Sequence, residues 1–467
     1  MKEKVDKPKI GLLPLFLKMY DDTFPKLRAE RTEFAKALAQ ELEGFAEVVF
    51  PGMVDTRESA ERAYRQFATE GVDLVVLAHL TYNTSLTTLP VLLRSNIPLV
   101  IWNTQKIPSV SLEFTYQDLL ENHGMHGVQD LANVLGRSGV QFGLVTGHWK
   151  DQATLAQLRD YAQAARTAHV LRRARIGIIG HQFPEMGDFG VDETMLLAQI
   201  GPRIIRAPVD AIARAFQEVA DDRVETLVQE DRELFTMDES LSDEQHRRSV
   251  RLELALREIV EELKLDGFAT YCPVLAEDPR IGIVPCLAAS TFLGEGIMVS
   301  CEGDVTAAAA LILMRELNGA ANFTEMFTMD FTHDAILMSH CGQGNWRMAD
   351  RDAPINLRLQ PFWKGAHGAG ASLVFALEPG DVTLLCLTTA PGGKIKLIAT
   401  EVRVSDFPSL ARLATPNFKI ELNRPIGEFL NHWSRERASH HVALSYGHVA
   451  DKIEKVAEIM GVEYALV

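Results

Sequence analysis

The sequence predicts an α/β protein with two parallel-sheet α/β domains followed by a β-rich C-terminal domain. Through the first third of the chain, runs of Val, Ile and Leu alternate with amphipathic helical segments, which is typical of βαβ units with strands buried on both faces. The pattern restarts after an Ala/Arg-rich helix, and from about Ala321 it changes to short alternating segments with Gly and Pro turns. A chain of 467 residues also exceeds the roughly 250 to 300 residues of a single core. We expect domains at 1–172, 173–321 and 322–467.

The elements of the first domain are predicted from periodicity and from Gly or Pro punctuation. Strand-like and helical runs follow each other in this order: strand KIGLLPL, helix FPKLRAERTEFAKALAQELE, strand AEVVF, helix TRESAERAYRQFATEG, strand VDLVVLAHL, helix TSLTTLPVLLRSN, strand IPLVIW and strand QFGLVTG.

The second and third domains are predicted in the same way. The second begins at Arg175 with strand RIGIIG, followed by RIIRAPVD, a charged helix over SDEQHRRSVRLELALREIVEELKLDG, strand GFATYCP, and the strand and helix of GIMVSCEGDVTAAAALILMRELNG. The third contains the alternating segments ASLVFAL, DVTLLCLTTA and KIKLIATEVRV.

Composition excludes several classes of protein. The formal net charge of −16 argues against nucleic acid, whose binding depends on Lys and Arg at phosphates. The five cysteines are widely spaced without a CxxC pair, so the spacing indicates neither a disulfide framework nor a zinc knuckle, and we expect reduced thiols. The sequence contains no run of about 18 apolar residues, so it predicts no transmembrane helix. The first residues are basic, but the apolar stretch after them is short and broken by Pro14, so we interpret it as a first strand and not as a signal peptide. We expect a cytoplasmic protein that binds no membrane.

One carboxylate stands where α/β proteins bind ligands. Glu302 lies at the C-terminal edge of a buried strand, just before an Ala-rich helix, and ligands of open α/β sheets bind outside that edge. Alternatively, Glu302 and Asp304 simply favour the first turn of the helix, where carboxylates complement its dipole. Both interpretations are open from spacing alone.

A second cluster follows within the span "NFTEMFTMDFTHDAILMSHCGQGNW". Carboxylates and imidazoles that converge are suited to Mn, Fe, Co or Zn, whereas the same residues could also form a solvated loop. The cluster contains Glu325, Asp330, His333, Asp334 and His340.

The order of these segments is similar to a known family. "SCEGD", "FTE", "MSH" and "ASHH" occur in the order and at roughly the separations of "EGDWK", "FMEDYTYHF", "SHMLE" and "AHHT" in the L-arabinose isomerase and L-fucose isomerase superfamily, and the chain resembles an L-arabinose isomerase. The resemblance implies that Glu302, Glu325, His340 and His441 bind a divalent metal.

The resemblance also covers the N-terminal half, where "IPLVIWNTQ" and "NHGMHGVQDLANVLGRSGVQFGLVTGHWKD" are similar to family segments. It implies substrate contacts by His126, reaching the site of a neighbouring subunit, and by Gln105 and Met186, although His126 could instead cap or pack a helix. The family tyrosine two residues after the second glutamate is Phe327 here, so the metal chemistry is indicated more firmly than L-arabinose as the substrate.

What the resemblance implies is an enzyme, an aldose–ketose isomerase acting through a cis-enediol. Mn²⁺, or Co²⁺ or Mg²⁺ in its place, is the implied cofactor, Glu302 and Glu325 are the implied proton-transfer pair, and a homotrimer or homohexamer is the implied assembly. The expected reaction is conversion of L-arabinose to L-ribulose, and conversion of D-galactose to D-tagatose is expected as a second reaction. Two alternatives are an isomerase for another pentose or a 6-deoxyhexose (the L-fucose/D-arabinose type) and a catalytically silent sugar-binding homologue.

The adjacent histidines of "SHHVALSYG" are predicted to act differently. The alternation indicates a strand, whose successive side chains point to opposite faces. His441 then shares a face with Ala443 and Ser445, which leave room for an ion and a sugar. His440 is expected on the opposite face, packed into the domain.

Overall fold

The computed structural model describes residues 7–360 and 368–467, so the basic start of the chain lies outside the described residues. The described chain forms two compact units, one of residues 7–169 and 454–461 and the other of residues 170–453 and 462–467. The larger unit contains the predicted second domain and, apart from residues 454–461, the predicted third domain. The division into three domains therefore stays a prediction.

The N-terminal unit contains a five-stranded parallel sheet in the order β2-β1-β3-β4-β5. Its strands are β1 (Lys9–Leu15), β2 (Glu47–Val49), β3 (Leu74–His79), β4 (Leu99–Asn103) and β5 (Gly143–Thr146). Its helices are α1 (Tyr20–Thr23), α2 (Leu27–Glu43), α3 (Arg57–Glu70), α4 (Leu89–Leu92), α5 (Tyr116–Glu121), α6 (Met125–Arg137) and α7 (Gln152–Arg173), the last of which runs into the second unit.

Both faces of this sheet are covered by helices. Ile10 and Leu12 of β1 belong to a core that includes Phe34 of α2, whereas Leu13 and Leu15 belong to a second core on the other face. Burial on both faces of the sheet, as the sequence predicts, therefore explains why these strands are continuously apolar.

The predicted helix over TSLTTLPVLLRSN is wrong in extent. A 3₁₀ turn (Ser85–Thr87) and the single turn of α4 occupy this stretch. Pro90 lies in the first turn of α4, the only part of a helix where proline is well tolerated, so a longer helix does not run through it. The β-branched Thr84, Thr87 and Thr88 before it favour helix only weakly.

The second unit begins with a four-stranded parallel sheet in the order β10-β9-β6-β7. These strands are β6 (Arg175–Ile179), β7 (Arg203–Ala207), β9 (Gly267–Thr270) and β10 (Met298–Cys301). The helices between and after them are α8 (Glu193–Gln199), α9 (Val209–Glu218), α10 (Asp221–Leu234), α11 (Asp243–Leu263), α12 (Pro273–Ala276), α13 (Cys286–Glu295) and α14 (Val305–Asn318).

The C-terminal part of this unit is mainly antiparallel. Seven strands run in the order β15-β18-β11-β12-β17-β16-β19. Pairing of β15 with β16 closes the first six into a barrel, and β19 adds to β16 in parallel. Its strands are β11 (Asn322–Asp330), β12 (Ala335–Ser339), β15 (Gly380–Ala390), β16 (Lys394–Val404), β17 (Asn417–Glu421), β18 (His441–Tyr446) and β19 (Glu463–Leu466). A small sheet joins β8 (Thr236–Met237), β13 (Asn356–Leu359) and β14 (Ala371–Val374), and the remaining elements are a 3₁₀ turn (Trp346–Met348), α15 (Ile426–Arg435) and α16 (Ala450–Met460).

The predicted fold class is confirmed, with two parallel α/β sheets followed by an antiparallel β-barrel. Among the described residues, every helix is too short or too polar to cross a lipid bilayer. Within the second unit, the carboxyl ends of β6, β9 and β10 lie beside β11 and β18, and the contacts described next connect the two sheets.

Candidate metal and active site

The turn after β10 is held in an unusual conformation. Glu302 has a φ of 60° and Gly303 a φ of 74°, and left-handed geometry costs a non-glycine residue about 1–2 kcal/mol. The loop after β6 fixes the turn, because the backbone N–H of Phe183 donates to the carbonyl of Glu302 at 2.8 Å and a Cβ on Gly303 would approach the carbonyl of His181 to 2.4 Å. Strained backbone of this kind often occurs at functional sites.

Asp304 performs two tasks with its two carboxylate oxygens. Oδ1 accepts from the backbone N–H groups of Thr306 and Ala307 at 2.8 and 2.9 Å and so begins α14. Oδ2 lies 2.9 Å from Nδ1 of His441, which assigns the proton of the neutral imidazole to Nδ1 and directs Nε2 away. The helix-start interpretation therefore holds for Asp304 but not for Glu302.

Strand register brings Glu325 and His441 together. Glu325 of β11 lies opposite His441 of β18 on one side and Ser339 of β12 on the other. Nε2 of His441 lies 3.0 Å from Oε1 of Glu325 and 3.6 Å from Oε2 of Glu302. His340, directly after β12, places its Nε2 3.3 Å from the same Oε1 of Glu325.

The expected orientation of His440 is wrong. Its Nε2 lies 3.4 Å from Oε2 of Glu302 and 3.7 Å from Oε1 of Glu325, and its side chain is 38% exposed rather than packed into the domain. The cause is that β18 begins at His441, so strand alternation does not apply to the residue before it. Asp188 holds the ring in place, since its Oδ2 accepts from the backbone N–H of His440 and lies 2.6 Å from Nδ1.

The charges in this cluster are mutually dependent. Burial lowers the pKa of His441, but Asp304 and Glu325 outweigh burial and raise that pKa to about 10. For His440, burial again lowers the pKa, and Asp188 and Glu302 raise it to about 9. Burial raises the pKa of Glu325, but the neighbouring imidazoles hold that pKa well below its usual range. The carboxylates therefore attract protons to the imidazoles, as they would attract a cation.

A divalent metal fits these residues. Ligand atoms of Glu302, Glu325, His440 and His441 all lie within 4.8 Å of one another. Nε2 of His441 is buried and, among the described residues, makes no well-aligned hydrogen bond, although Oε1 of Glu325 lies 3.0 Å away. When Nδ1 carries the proton, the lone pair of Nε2 therefore faces carboxylate oxygens, and a cation between them would bind both. Carboxylate and imidazole donors together suit Mn²⁺ and similar metals.

The structure separates the remaining members of the predicted acidic cluster from this site. Asp330 bonds to His333 at 2.9 Å and pairs with Lys419, and Asp334 accepts from the backbone N–H of Ile426 at 2.9 Å. These three residues of the predicted cluster stabilise the turn between β11 and β12 and its surroundings. Of the five residues, Glu325 and His340 lie at one end of the β11–β12 hairpin and approach each other, whereas Asp330, His333 and Asp334 lie at its turn.

The residues predicted to contact substrate lie in three places. Met186 is half-buried in the loop after β6 that also carries Asp188, and Phe327 is exposed beside a bulge in β11. Gln105 and His126 belong to the N-terminal unit, where Nε2 of Gln105 donates to the carbonyl of Ile107 at 2.9 Å and His126 is exposed on α6.

Sequence reasoning missed Asp188 and the aromatic residues around His441. The ring of Phe189 stacks on His441 with 5.5 Å between centroids, and Phe323 lies 4.8 Å from it. Asp188 stands in a Gly-rich loop far from His440 in the chain, and nothing in its neighbourhood marks it as a partner. Only the position of this loop, directly after a parallel strand, could have drawn attention to it.

Comparison with known families agrees with this geometry. Residues 191–320 match the model of the L-arabinose isomerase central domain, and residues 320–463 match that of the L-arabinose isomerase C-terminal domain. The chain belongs to the L-arabinose isomerase family. The carboxylates and imidazoles of the candidate site all lie within the two matched segments. Asp188 and Phe189 lie just before the first of these segments.

Curated relatives of this L-arabinose isomerase family member have two different names. The L-arabinose isomerase of Klebsiella pneumoniae (strain 342) is 22% identical over 387 residues, which cover 80% of this chain and 76% of the relative. The sulfoquinovose isomerase of Priestia megaterium is 20% identical over 370 residues, which cover 78% of this chain and 79% of the relative. Both are aldose–ketose isomerases, and the chain is an enzyme of this class.

Proposed function

We propose that this member of the L-arabinose isomerase family is a metal-dependent isomerase that interconverts L-arabinose and L-ribulose, and D-galactose and D-tagatose by the same chemistry. The convergence of Glu302 and Glu325 on His441, whose buried Nε2 is otherwise unpaired, carries this proposal. The expected setting is the cytoplasm.

The proposed metal ligands are Glu302, Glu325, His340 and His441, with Mn²⁺ as the ion and Co²⁺ or Mg²⁺ as substitutes. A bound divalent ion supplies Lewis acidity that stabilises negative charge on the sugar oxygens. His441 is held for this task by Asp304, and His340 reaches Glu325 from the opposite strand. Because the imidazoles must be neutral to bind an ion, metal binding releases their protons.

The two glutamates are proposed to move the protons. An aldose becomes a ketose when one proton moves from C2 to C1 and another moves between the two oxygens, through a cis-enediol. The neighbouring imidazoles hold the pKa of Glu325 low, so this carboxylate is ionised, which is the form that binds a cation and from which a general base starts. Glu302 approaches from the turn after β10 and Glu325 from β11, so the two carboxylates would reach a sugar bound at the ion from different elements.

The proposed function is tested by product analysis after metal removal. The chelated protein should be inactive, and added Mn²⁺, Co²⁺ or Mg²⁺ should restore conversion of L-arabinose to L-ribulose. Full activity in a preparation that elemental analysis shows to be free of metal would rule out the metal-dependent mechanism. The panel should contain L-arabinose, D-galactose, L-fucose, D-arabinose and sulfoquinovose.

Sulfoquinovose is included because sulfoquinovose isomerases are among the relatives at similar coverage. Phe327, in place of the family tyrosine, removes a hydroxyl at a position expected to contact sugar. Conversion of L-fucose, D-arabinose or sulfoquinovose in preference to L-arabinose would replace the proposed substrate but not the reaction. Metal binding without any conversion would identify a silent sugar-binding homologue.

Asp304→Asn is expected to weaken metal binding by about 10- to 100-fold, as loss of a group that orients a metal-binding histidine does. Asparagine starts helices about as well as aspartate, so any decrease in the free energy of unfolding should come from the lost charge beside buried His441 rather than from α14. Calorimetric titration with Mn²⁺ and urea unfolding measure the two effects separately. Unchanged Mn²⁺ affinity would show that Asp304 only begins α14.

We expect a homotrimer or homohexamer in which His126 completes the site of a neighbouring subunit. His126 is exposed on α6, and its ring stacks on Tyr82 with 4.8 Å between centroids. The adjacent Met125 is 60% exposed.

Mixed oligomers test this arrangement. Inactive His126→Asn and Glu302→Gln proteins, unfolded and refolded together, should regain activity that neither has alone, because some sites then receive both native residues. The same mixture of Glu302→Gln with Glu325→Gln is the control and should stay inactive, since both changes fall in one subunit's metal cluster. A fully active monomer in light scattering, or no recovery in the first mixture, would contradict the shared site.

A further inference from the structure

A group of buried sulfur atoms lies beside the carboxylate cluster. Cys272 follows β9 and Cys301 ends β10, and their Sγ atoms are 3.3 Å apart. Cys341 follows His340, and its Sγ lies 3.4 Å from Nδ1 of that histidine. One ligand atom from each of Cys301, His340 and Cys341 lies within 4.8 Å of the others. All three cysteines are free thiols.

We propose that Cys301, Cys341 and His340 bind a thiophilic divalent cation of the Zn²⁺ type, with Cys272 supplying a further sulfur. Thiolate and imidazole donors are the ligands of tetrahedral zinc. With Zn–S bonds of about 2.3 Å, two sulfurs of such a site stand about 3.8 Å apart, so the separations present need only small side-chain movements. The spacing of these cysteines in the chain gives no sign of the site.

The donors of this group are largely buried and lie at the ends of strands. Cys272, Cys301 and His340 are 5%, 3% and 2% exposed, whereas Cys341 is half-buried. Three strand ends fix the group, since β9 and β10 are paired neighbours and His340 directly follows β12. The donors are therefore held in place before any ion arrives.

His340 connects this thiol site to the proposed isomerase site. Its Nδ1 faces Cys341, while its Nε2 lies 3.3 Å from Oε1 of Glu325. The two nitrogens can serve two ions, one held by sulfur and one by carboxylates. The thiol site itself goes beyond the proposed function and does not require that the protein isomerise any sugar.

The test is a Co²⁺ titration of the reduced, metal-stripped full chain. Cobalt bound by thiolates gives an intense near-ultraviolet charge-transfer band, whereas cobalt bound by carboxylates and imidazoles does not. Cys301→Ser and Cys341→Ser should each lose the band and bind Zn²⁺ at least about tenfold more weakly. Cys386→Ser is the matched control, since Cys386 is another buried free thiol, on β15, and should keep the band.

The variants of the isomerase site separate this inference from the proposed function. Glu302→Gln should keep the charge-transfer band even though it is expected to lose turnover. A titration of the wild-type protein without the band, or equal loss of the band in Cys386→Ser and Cys341→Ser, would overturn the thiol site. A second test uses the wild-type protein and measures the rate at which Cys341 is alkylated. Bound Zn²⁺ should lower this rate at least about tenfold, and an unchanged rate would also overturn the site.

Discussion

Glu325→Gln is expected to reduce kcat by at least about 10²- to 10⁴-fold, the range for loss of a general acid or base. The amide keeps the size of the side chain but can neither accept the proton nor attract the cationic partners that now hold the pKa of Glu325 low. Its contacts with His340 and His441 are both to Oε1, so one substitution disturbs two proposed metal ligands. Initial rates with the sugar identified by product analysis measure the effect.

Glu302→Gln should cause a loss of similar size, because this carboxylate faces the same imidazoles from the turn after β10. Glu421→Gln is the matched control: Glu421 is an exposed glutamate at the end of β17, and its substitution should leave kcat unchanged. Circular dichroism should show that all three proteins are folded. Turnover of Glu325→Gln or Glu302→Gln within a few-fold of the wild type would show that the glutamate in question has been misassigned.

His441→Ala is expected to lose bound metal and nearly all turnover. The ring is fully buried, its Nδ1 is held by Asp304, and its Nε2 approaches both glutamates. Removal of this nitrogen leaves two carboxylates facing each other without the base that now lies between them. Elemental analysis after dialysis against Mn²⁺, together with kcat, measures the loss.

Comparison with the two neighbouring histidines identifies the fourth ligand. His340→Ala should also lose metal, because its buried Nε2 approaches Glu325, whereas His440→Ala should keep its metal and lose less activity, because Asp188 holds its partly exposed ring at the edge of the site. His333→Ala, in the turn after β11, is the control and should match the wild type. Loss of metal from His440→Ala but not from His340→Ala would assign the fourth ligand to His440.

Much of the fold could be predicted because its signals are local. Strand β1 has the bounds of the predicted KIGLLPL, and β16 those of KIKLIATEVRV, since unbroken or alternating apolar runs directly reflect burial. The helix predicted at residues 84–96 was wrong in extent because the local signal was mixed: hydroxyl side chains and Pro90 interrupt the apolar pattern.

The candidate site was predictable in part. Glu302 could be proposed from its place at a strand end, and Glu325, His340 and His441 from motifs similar to a family. The position of His440 could not, because one residue decides whether it lies inside β18 or before it, and a pattern of alternating residues does not mark that boundary.

By itself, the sequence determined the alternation of strands and helices in the two parallel-sheet parts, the β-rich character of the C-terminal part, the carboxylate at the end of β10 and the family to which the chain belongs. The tertiary structure alone decided which distant residues meet: Asp188 with His440, 252 positions apart, and Cys272 with Cys301, 29 positions apart. Periodicity reports which face of an element is buried, and therefore samples neighbours only a few residues away. The register between strands is set by how whole sheets pack. That packing places Glu325 opposite His441 on neighbouring strands and brings together sulfur atoms that are distant in the sequence.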